Sequence, residues 1–391
     1  MSTGPVVRWR HGAGELLTRG ELILAVGDPR EVDGALHHGG LRVDRVVDLP
    51  GAAVIPGLVD AHLHTAMYSR SLTRVDLRGA VNLAEVLDRL ARHAERLAPG
   101  EPLRGAGWEW QKWLPAVLPT LADLDAILPD RPVLLESQDR HTCWVNTALL
   151  QRVGMTDEPG APGILREAEG WRAMDLLGPE DRPLEDALAY GIDTLLSMGV
   201  TGVHDVDDEA ARAAFGKLYR DGRLNLRVVK FTRLEALDTA ITEGRRSGAG
   251  DHWLREGHVK LFTDGALGSR TCQMCAPFNG TDQSGLATID DAELAEVIDA
   301  CQRHGLGVAG HAIGDRANQR LLDAYAAAAA GRPPGLRHRV EHAQHLRPRD
   351  VARFAELDVV ASMQPTHAIS DMDLVTELFG DRPLSSYAFG S

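Results

Sequence analysis

The chain has 391 residues, too many for one small domain and suited to one large α/β domain with an appendage. At 44% hydrophobic and only 5% aromatic it can bury a large core, which should be aliphatic and rich in alanine. Lys and Arg total 42 against 56 Asp and Glu, a net charge of -14 that argues against nucleic acid or an anionic membrane as partner.

The opening stretch MSTGPVVRWRHGAGELL lacks the apolar segment of a signal peptide. No apolar run reaches the ~18 residues of a membrane helix. Four cysteines (Cys143, Cys272, Cys275 and Cys301) are too few for a disulfide framework at this length, so a soluble, cytoplasmic protein is expected. Residues 5 to 55 read as a small sheet. Short apolar runs at Val6-Val7, Leu22 to Val26 and Val46 to Leu49 are separated by Gly, Asp and Pro, and no helical period runs through them.

From residue 56 the pattern becomes an alternation of strand and helix. Strands are predicted at 58–62, 199–204, 224–231, 258–262, 307–311, 338–342 and 359–364. Several are nearly continuous apolar runs, as strands covered on both faces should be. Helices are predicted at 291–304, 316–330 and 348–357, the last with Pro348 in its first turn. This alternation points to a (β/α)8 barrel, one strand short of eight. Residues 66 to 198 exceed one crossover and read as an insertion over the C-terminal mouth, with a helix over 83–97 and the Trp-rich stretch GWEWQKW at 107–113.

His62 and His64 stand at i and i+2, so on a strand they share a face and could grip one divalent cation. His311 and His342 each end a predicted barrel strand, which gathers four histidines at one end of the barrel. Lys260 lies inside a predicted strand and must be paired, neutral or modified. An ion pair with Asp264, Asp205 or Glu341 and a carboxylated lysine between two metals both remain open. Trp108, Trp110 and His141, in a region mixing aromatic and ionic groups, suggest a substrate pocket wall, or simple packing of the insertion. His204-Asp205 and Asp315-Arg316 also sit at strand ends, where they could orient imidazoles or bind substrate. Cys272 and Cys275 form a lone CxxC, read as two buried or semi-buried thiols. There is no phosphate-binding loop, no GxGxxG after a strand, no HExxH and no GxSxG.

In order, PGLVDAHLH (56–64), DLRGAVNLAEVL (76–87), GVTGVHD (199–205), VKLFTDGALGSRT (259–271), HAIGDRA (311–317), HRVEHAQ (338–344) and SMQPTH (362–367) resemble the amidohydrolase superfamily and, within it, the YtcJ-like amidohydrolase family 3. The resemblance runs from about residue 46 to the end. It implies an α/β metal-dependent hydrolase on a TIM barrel, incomplete at its C-terminus. Residues 1–55 would form part of a small β-sandwich and 56–391 the barrel domain. Carried over by position, His62, His64, His311 and His342 would be metal ligands. Lys260 would be a further ligand, with Asp264 and Arg270 in the loop after the fourth strand, near the metal; Lys260 and Asp264 are taken as the catalytic residues, and Arg270, with Asp315 at its strand end, as substrate-binding. Glu167 matches a motif of the family's insertion.

The reading that results is hydrolysis of an amide, N-acyl or N-formyl C–N bond of a small molecule by water activated on one or two divalent ions, zinc foremost. The family's eighth-strand aspartate finds no match in the chain. A metal- or ligand-binding protein without turnover therefore stays open; deamination of a cyclic imine on the same site is a further alternative, though the chain shows no clear counterpart of the glutamate that deaminases of the superfamily use. Open edges on the first and seventh strands predict aggregation or pairing with another chain, including a homo-oligomer.

Overall fold

The computed structural model describes residues 4–138, 142–155, 163–166, 168–178, 183–380, 382, 385 and 386. Two units make up the chain, Met1–Leu58 and Val59–Ser391.

The first unit holds β1 (Val6–His11), β2 (Gly14–Arg19), β3 (Leu22–Gly27) and β4 (Arg45–Leu49) in one sheet of order β3-β2-β1-β4. Its core is small: Val6, Leu17 and Val32, with Ala35 and Leu36 packed against them. Val32, Ala35 and Leu36 belong to a helix, Pro29–Gly39, that the sequence reading did not anticipate. Only those three positions form its apolar stripe, too little to show a period. The signal was at its start. Asp28 accepts from the backbone N–H groups of Arg30 (2.8 Å) and Glu31 (2.9 Å), and Glu31 accepts from that of Asp28 (2.8 Å), a reciprocal cap.

The second unit contains three further sheets, the smallest pairing His345–Leu346 with Ser385–Ser386. In sequence its strands are β5 (Leu58–Leu63), β6 (Val75–Asp76), β7 (Leu103–Trp108), β8 (Val133–Ser137), β9 (Thr142–Val145), β10 (Ile164–Arg166), β11 (Val200–Asp205), β12 (Arg227–Arg233), β13 (Leu254–Phe262), β14 (Val308–Ala312), β15 (Arg339–His342), β16 (His345–Leu346) and β17 (Val360–Ser362). The predicted insertion folds as its own sheet, β10-β9-β8-β7-β6. Trp108, Trp113 and Trp144 pack in its core with ring centroids 6.0–6.5 Å apart. The Trp108 indole N–H donates to the Leu135 carbonyl at 2.8 Å.

Asn146 fastens this sheet. Fully buried, it accepts from the N–H groups of Val133 (2.9 Å) and Leu149 (3.0 Å). It donates to the carbonyls of Leu128 and Arg131, both at 2.8 Å. Asn146→Ala strands these buried groups and removes a helix cap. It is expected to lower stability by about 2 kcal/mol, read as a drop in urea midpoint.

The seven strands predicted for the barrel form one parallel sheet of order β17-β15-β14-β13-β12-β11-β5. All five residues of β14 are buried, which is why its sequence reads as an unbroken apolar run ending at His311. Strand 224–231 was placed too early. Leu224 and Leu226 are buried, but the ladder starts at Arg227. Helices Asp291–Arg303, Asp315–Ala328 and Pro348–Glu356 fall within two residues of their predicted limits. Among the described residues no ladder joins β5 to β17. None of the described helices is long and apolar enough to cross a membrane.

Candidate metal centre

Register brings the histidines together. On β14 and β15, Ala312 pairs with His342; on β13 and β14, Phe262 pairs with His311. His62 lies on β5 and His64 just beyond its end. Ring centroids stand 6.0 Å apart for His62 and His64, 4.8 Å for His62 and His342, and 4.6 Å for His311 and His342. The turn that presents His342 is strained: His342 and Ala343 have φ of 72° and 46°, a left-handed backbone that non-glycine residues adopt at a cost.

Each ring is held by one nitrogen. His62 Nδ1 meets Glu341 Oε2 at 2.6 Å, His64 Nδ1 meets Asp207 Oδ1 at 2.9 Å, and His342 Nδ1 meets Gln364 Oε1 at 2.6 Å. His311 uses its other nitrogen, Nε2, against the Gly265 carbonyl at 3.0 Å. All four partners are oxygens that accept, so the bonded nitrogen carries the proton. The lone pair is left on Nε2 of His62, His64 and His342 and on Nδ1 of His311. Burial keeps three of the rings neutral, lowering the pKa of His62, that of His311 to about 3 and that of His342 to about 2. Neutral imidazole with one backed nitrogen is the metal-binding form.

Lys260, on β13, is 2% exposed. Its Nζ has no hydrogen-bond partner and lies 4.4 Å from the centre of the Phe262 ring. The ion pairs weighed from the sequence are not formed, because each carboxylate is engaged elsewhere. Asp205 pairs with Lys230 at 2.8 Å, and Glu341 pairs with Arg339 at 2.7 Å. Asp264 accepts from the N–H groups of Gln273 (2.9 Å), Gly314 (2.8 Å) and Ile313 (3.1 Å). Burial without a partner lowers the Lys260 ammonium to about 7.

The remaining predicted residues take varied places. Asp264 is 1% exposed and lies 3.5 Å from His311 Nε2, clasping the loop after β13 to the end of β14. Burial pushes its carboxyl up to about 7 against the three N–H donors. Gly314 allows this clasp, since a Cβ there would lie 2.0 Å from the Gln273 carbonyl oxygen. Asp315 accepts from the Cys275 N–H at 2.8 Å. Arg270 is exposed and pairs with Glu377 at 3.0 Å. Trp108 sits in the insertion's core, 2% exposed, and Trp110 packs against that core, so the structure gives them packing roles there. His141 and Glu167 lie outside the described residues. Cys272 and Cys275 are free thiols, the first buried and the second exposed.

Several partners escaped the sequence reading, notably Asp207, Gln364, Lys230 and Arg339. Asp207 belongs to His204-Asp205-Val206-Asp207 just after a barrel strand, and Gln364 to SMQPTH, so both stood in view as strand-end polar residues. Among the described residues, no three His, Cys, Asp or Glu side chains already converge as a finished coordination set. The rings are gathered, and each is backed on one nitrogen. Neutral imidazoles beside an orphaned buried amine fit a divalent cation in their donor chemistry.

Residues 45–388 match the amidohydrolase family. Three curated proteins align over most of the chain. Protein LONG AFTER FAR-RED 3 of Arabidopsis thaliana is 32% identical, over 97% of this chain and 70% of its own length. YtcJ of Bacillus subtilis (strain 168), an amidohydrolase by assignment, is 30% identical over 88% and 68%. The N-substituted formamide deformylase of Arthrobacter pascens is 27% identical over 89% and 69%. Among solved structures, an uncharacterized metal-dependent hydrolase from Pyrococcus furiosus superposes with a TM-score of 0.78 at 28% identity, over 97% of this chain and 81% of that one.

Proposed function

This chain belongs to the amidohydrolase family, and from that membership we propose that it hydrolyses the C–N bond of a small N-acyl or N-formyl amide with a divalent metal, zinc foremost. The observation that carries the reading is the cluster of four imidazoles, each backed on one nitrogen, beside the unpaired Lys260 amine. The likeness to a formamide deformylase supports the choice of bond.

His62, His64, His311 and His342 would hold the ion. When bound, a divalent cation polarises a carbonyl and lowers the pKa of water toward ~7. The chain's own part is to keep His62, His311 and His342 neutral by burial and to fix the orientation of all four rings through Glu341, Asp207, Gln364 and the Gly265 carbonyl. Lys260, with a pKa near 7 and no partner, is suited to add to carbon dioxide through its nitrogen, releasing a proton and gaining a carboxylate oxygen for the same ion or a second one. Asp264 holds the loop after β13, its two oxygens already engaged by three N–H donors.

The test is turnover of a panel of N-substituted formamides before chelation, after chelation and after zinc is restored. Turnover should vanish and return. His62→Ala should lower zinc content and turnover together. Activity indifferent to both chelation and His62→Ala would overturn the proposal. Zinc bound in full with no turnover on any amide would favour a binding protein.

A further inference from the structure

Behind His62 stands a buried guanidinium that reaches more of the sheet than any task at its own strand requires. Arg339 projects from β15 with only 6% of its side chain exposed. Its Nε donates to Glu341 Oε1 at 2.7 Å, and its Nη2 approaches Glu341 Oε2 at 3.3 Å. That same Oε2 holds His62 Nδ1 at 2.6 Å. Nη2 also donates to the Ala61 carbonyl at 2.9 Å and to Ser362 Oγ at 2.8 Å. Nη1 donates to His204 Nδ1 at 2.6 Å. Ala61 is the residue before His62 on β5, and Ser362 ends β17.

The guanidinium therefore holds His62 twice, by the backbone immediately before it and by the carboxylate behind its ring. It also touches both strands that close no ladder with each other. A planar fork with five N–H groups can do this; an ammonium cannot serve the same partners at once.

We propose that Arg339 is a positioning residue of the metal centre. By clamping Glu341 and the Ala61 carbonyl it fixes the place and tautomer of His62, so that Nε2 presents its lone pair to the ion. The same side chain thereby orients the ligand and links β5 to β17, which share no ladder among the described residues. The inference rests on the metal-centre reading above and adds a residue to it. Partners that orient metal-bound imidazoles commonly change affinity by roughly 10–100-fold when lost.

Three readings test it. In the metal-free native chain, ring nitrogen-15 shifts should show His62 as the Nδ1–H tautomer; an Nε2–H tautomer there overturns the inference without any variant. Glu341→Gln, close in shape but without the charge that Arg339 grips, should give a mixture of His62 tautomers. Zinc titration against a competing chromophoric chelator should then show the dissociation constant raised roughly 10–100-fold in Glu341→Gln and in Arg339→Lys. A merely structural role would lower the melting temperature of both variants equally with and without zinc, and leave zinc affinity and the His62 ring shifts as in the native chain. That result overturns the inference while leaving the hydrolase reading in place. If Arg339→Lys fails to fold, Glu341→Gln carries the comparison. If the native chain takes up no zinc, the hydrolase reading fails instead, and the metal-free ring shifts still decide the tautomer.

Discussion

Lys230→Met is expected to destabilise the chain by about 3–5 kcal/mol, read from the urea midpoint of the second unit. The Lys230 and Asp205 side chains are both 0% exposed and meet at 2.8 Å. The ammonium also donates to the carbonyls of Asp207 (2.6 Å) and Phe231 (3.1 Å). Removing it leaves the Asp205 carboxylate buried and opposed only by the N–H groups of Thr65 (3.1 Å) and Asp207 (3.2 Å). Burial already drives the Asp205 pKa upward, and the lysine is the chief influence resisting that rise. Replacing both partners with apolar residues of similar volume should cost much less than the single change, because no charge is stranded. A single variant that melts like the native chain would show that the pair carries little.

The same substitution one strand over is expected to act in the opposite direction on stability. Lys260→Met should hold or raise stability by roughly 1–3 kcal/mol, because the buried ammonium it removes has no partner to strand. Metal uptake and turnover should both be lost. The pH dependence gives a separate reading. In the folded, metal-free chain burial lowers the Lys260 ammonium to about 7, against the 10.5 of a free lysine side chain. Between those limits the unfolded chain binds one proton more than the folded chain, so stability contributed at this site rises with pH from about 7 to 10.5 and is lowest below 7. The native chain should show that slope in carbon-dioxide-free buffer, and Lys260→Met should lack it. Equal slopes in the two proteins would mean that Lys260 keeps its ordinary pKa.

These two lysines also mark where the sequence could be read and where it could not. Each interrupts a predicted strand, and nothing local tells them apart. The difference lies in Asp205, which sits on the strand next to Lys230 and engages it rather than Lys260. The strands themselves were legible because β11 to β15 carry buried runs on both faces, and His62 with His64 because a period of two puts them on one side. Helix Pro29–Gly39 was not, since its stripe of three apolar residues shows no period and only the cap at Asp28 announces it. Composition left the tryptophans open between a pocket wall and packing of the insertion. An aromatic cluster beside charges can line a pocket, yet Trp108, Trp113 and Trp144 satisfy one another in a core. The carboxylates behind the histidines were hidden by distance along the chain: Asp207 is 143 positions from His64, and Glu341 is 279 from His62.

That last separation bears on how the molecule comes into being. Arg339 and Ala61 are 278 positions apart, so the contact that seats His62 belongs to the slowest class of loop closures and comes late in assembly. A chain emerging from the ribosome displays His62 and His64 long before Glu341 and His342 have been made. Throughout that interval His62 lacks its backing carboxylate and the pair lacks its later companions. On the proposed function, the cation's site is complete only once β15 has been made and Arg339 has reached the Ala61 carbonyl. Metal uptake would then report that these strands have docked.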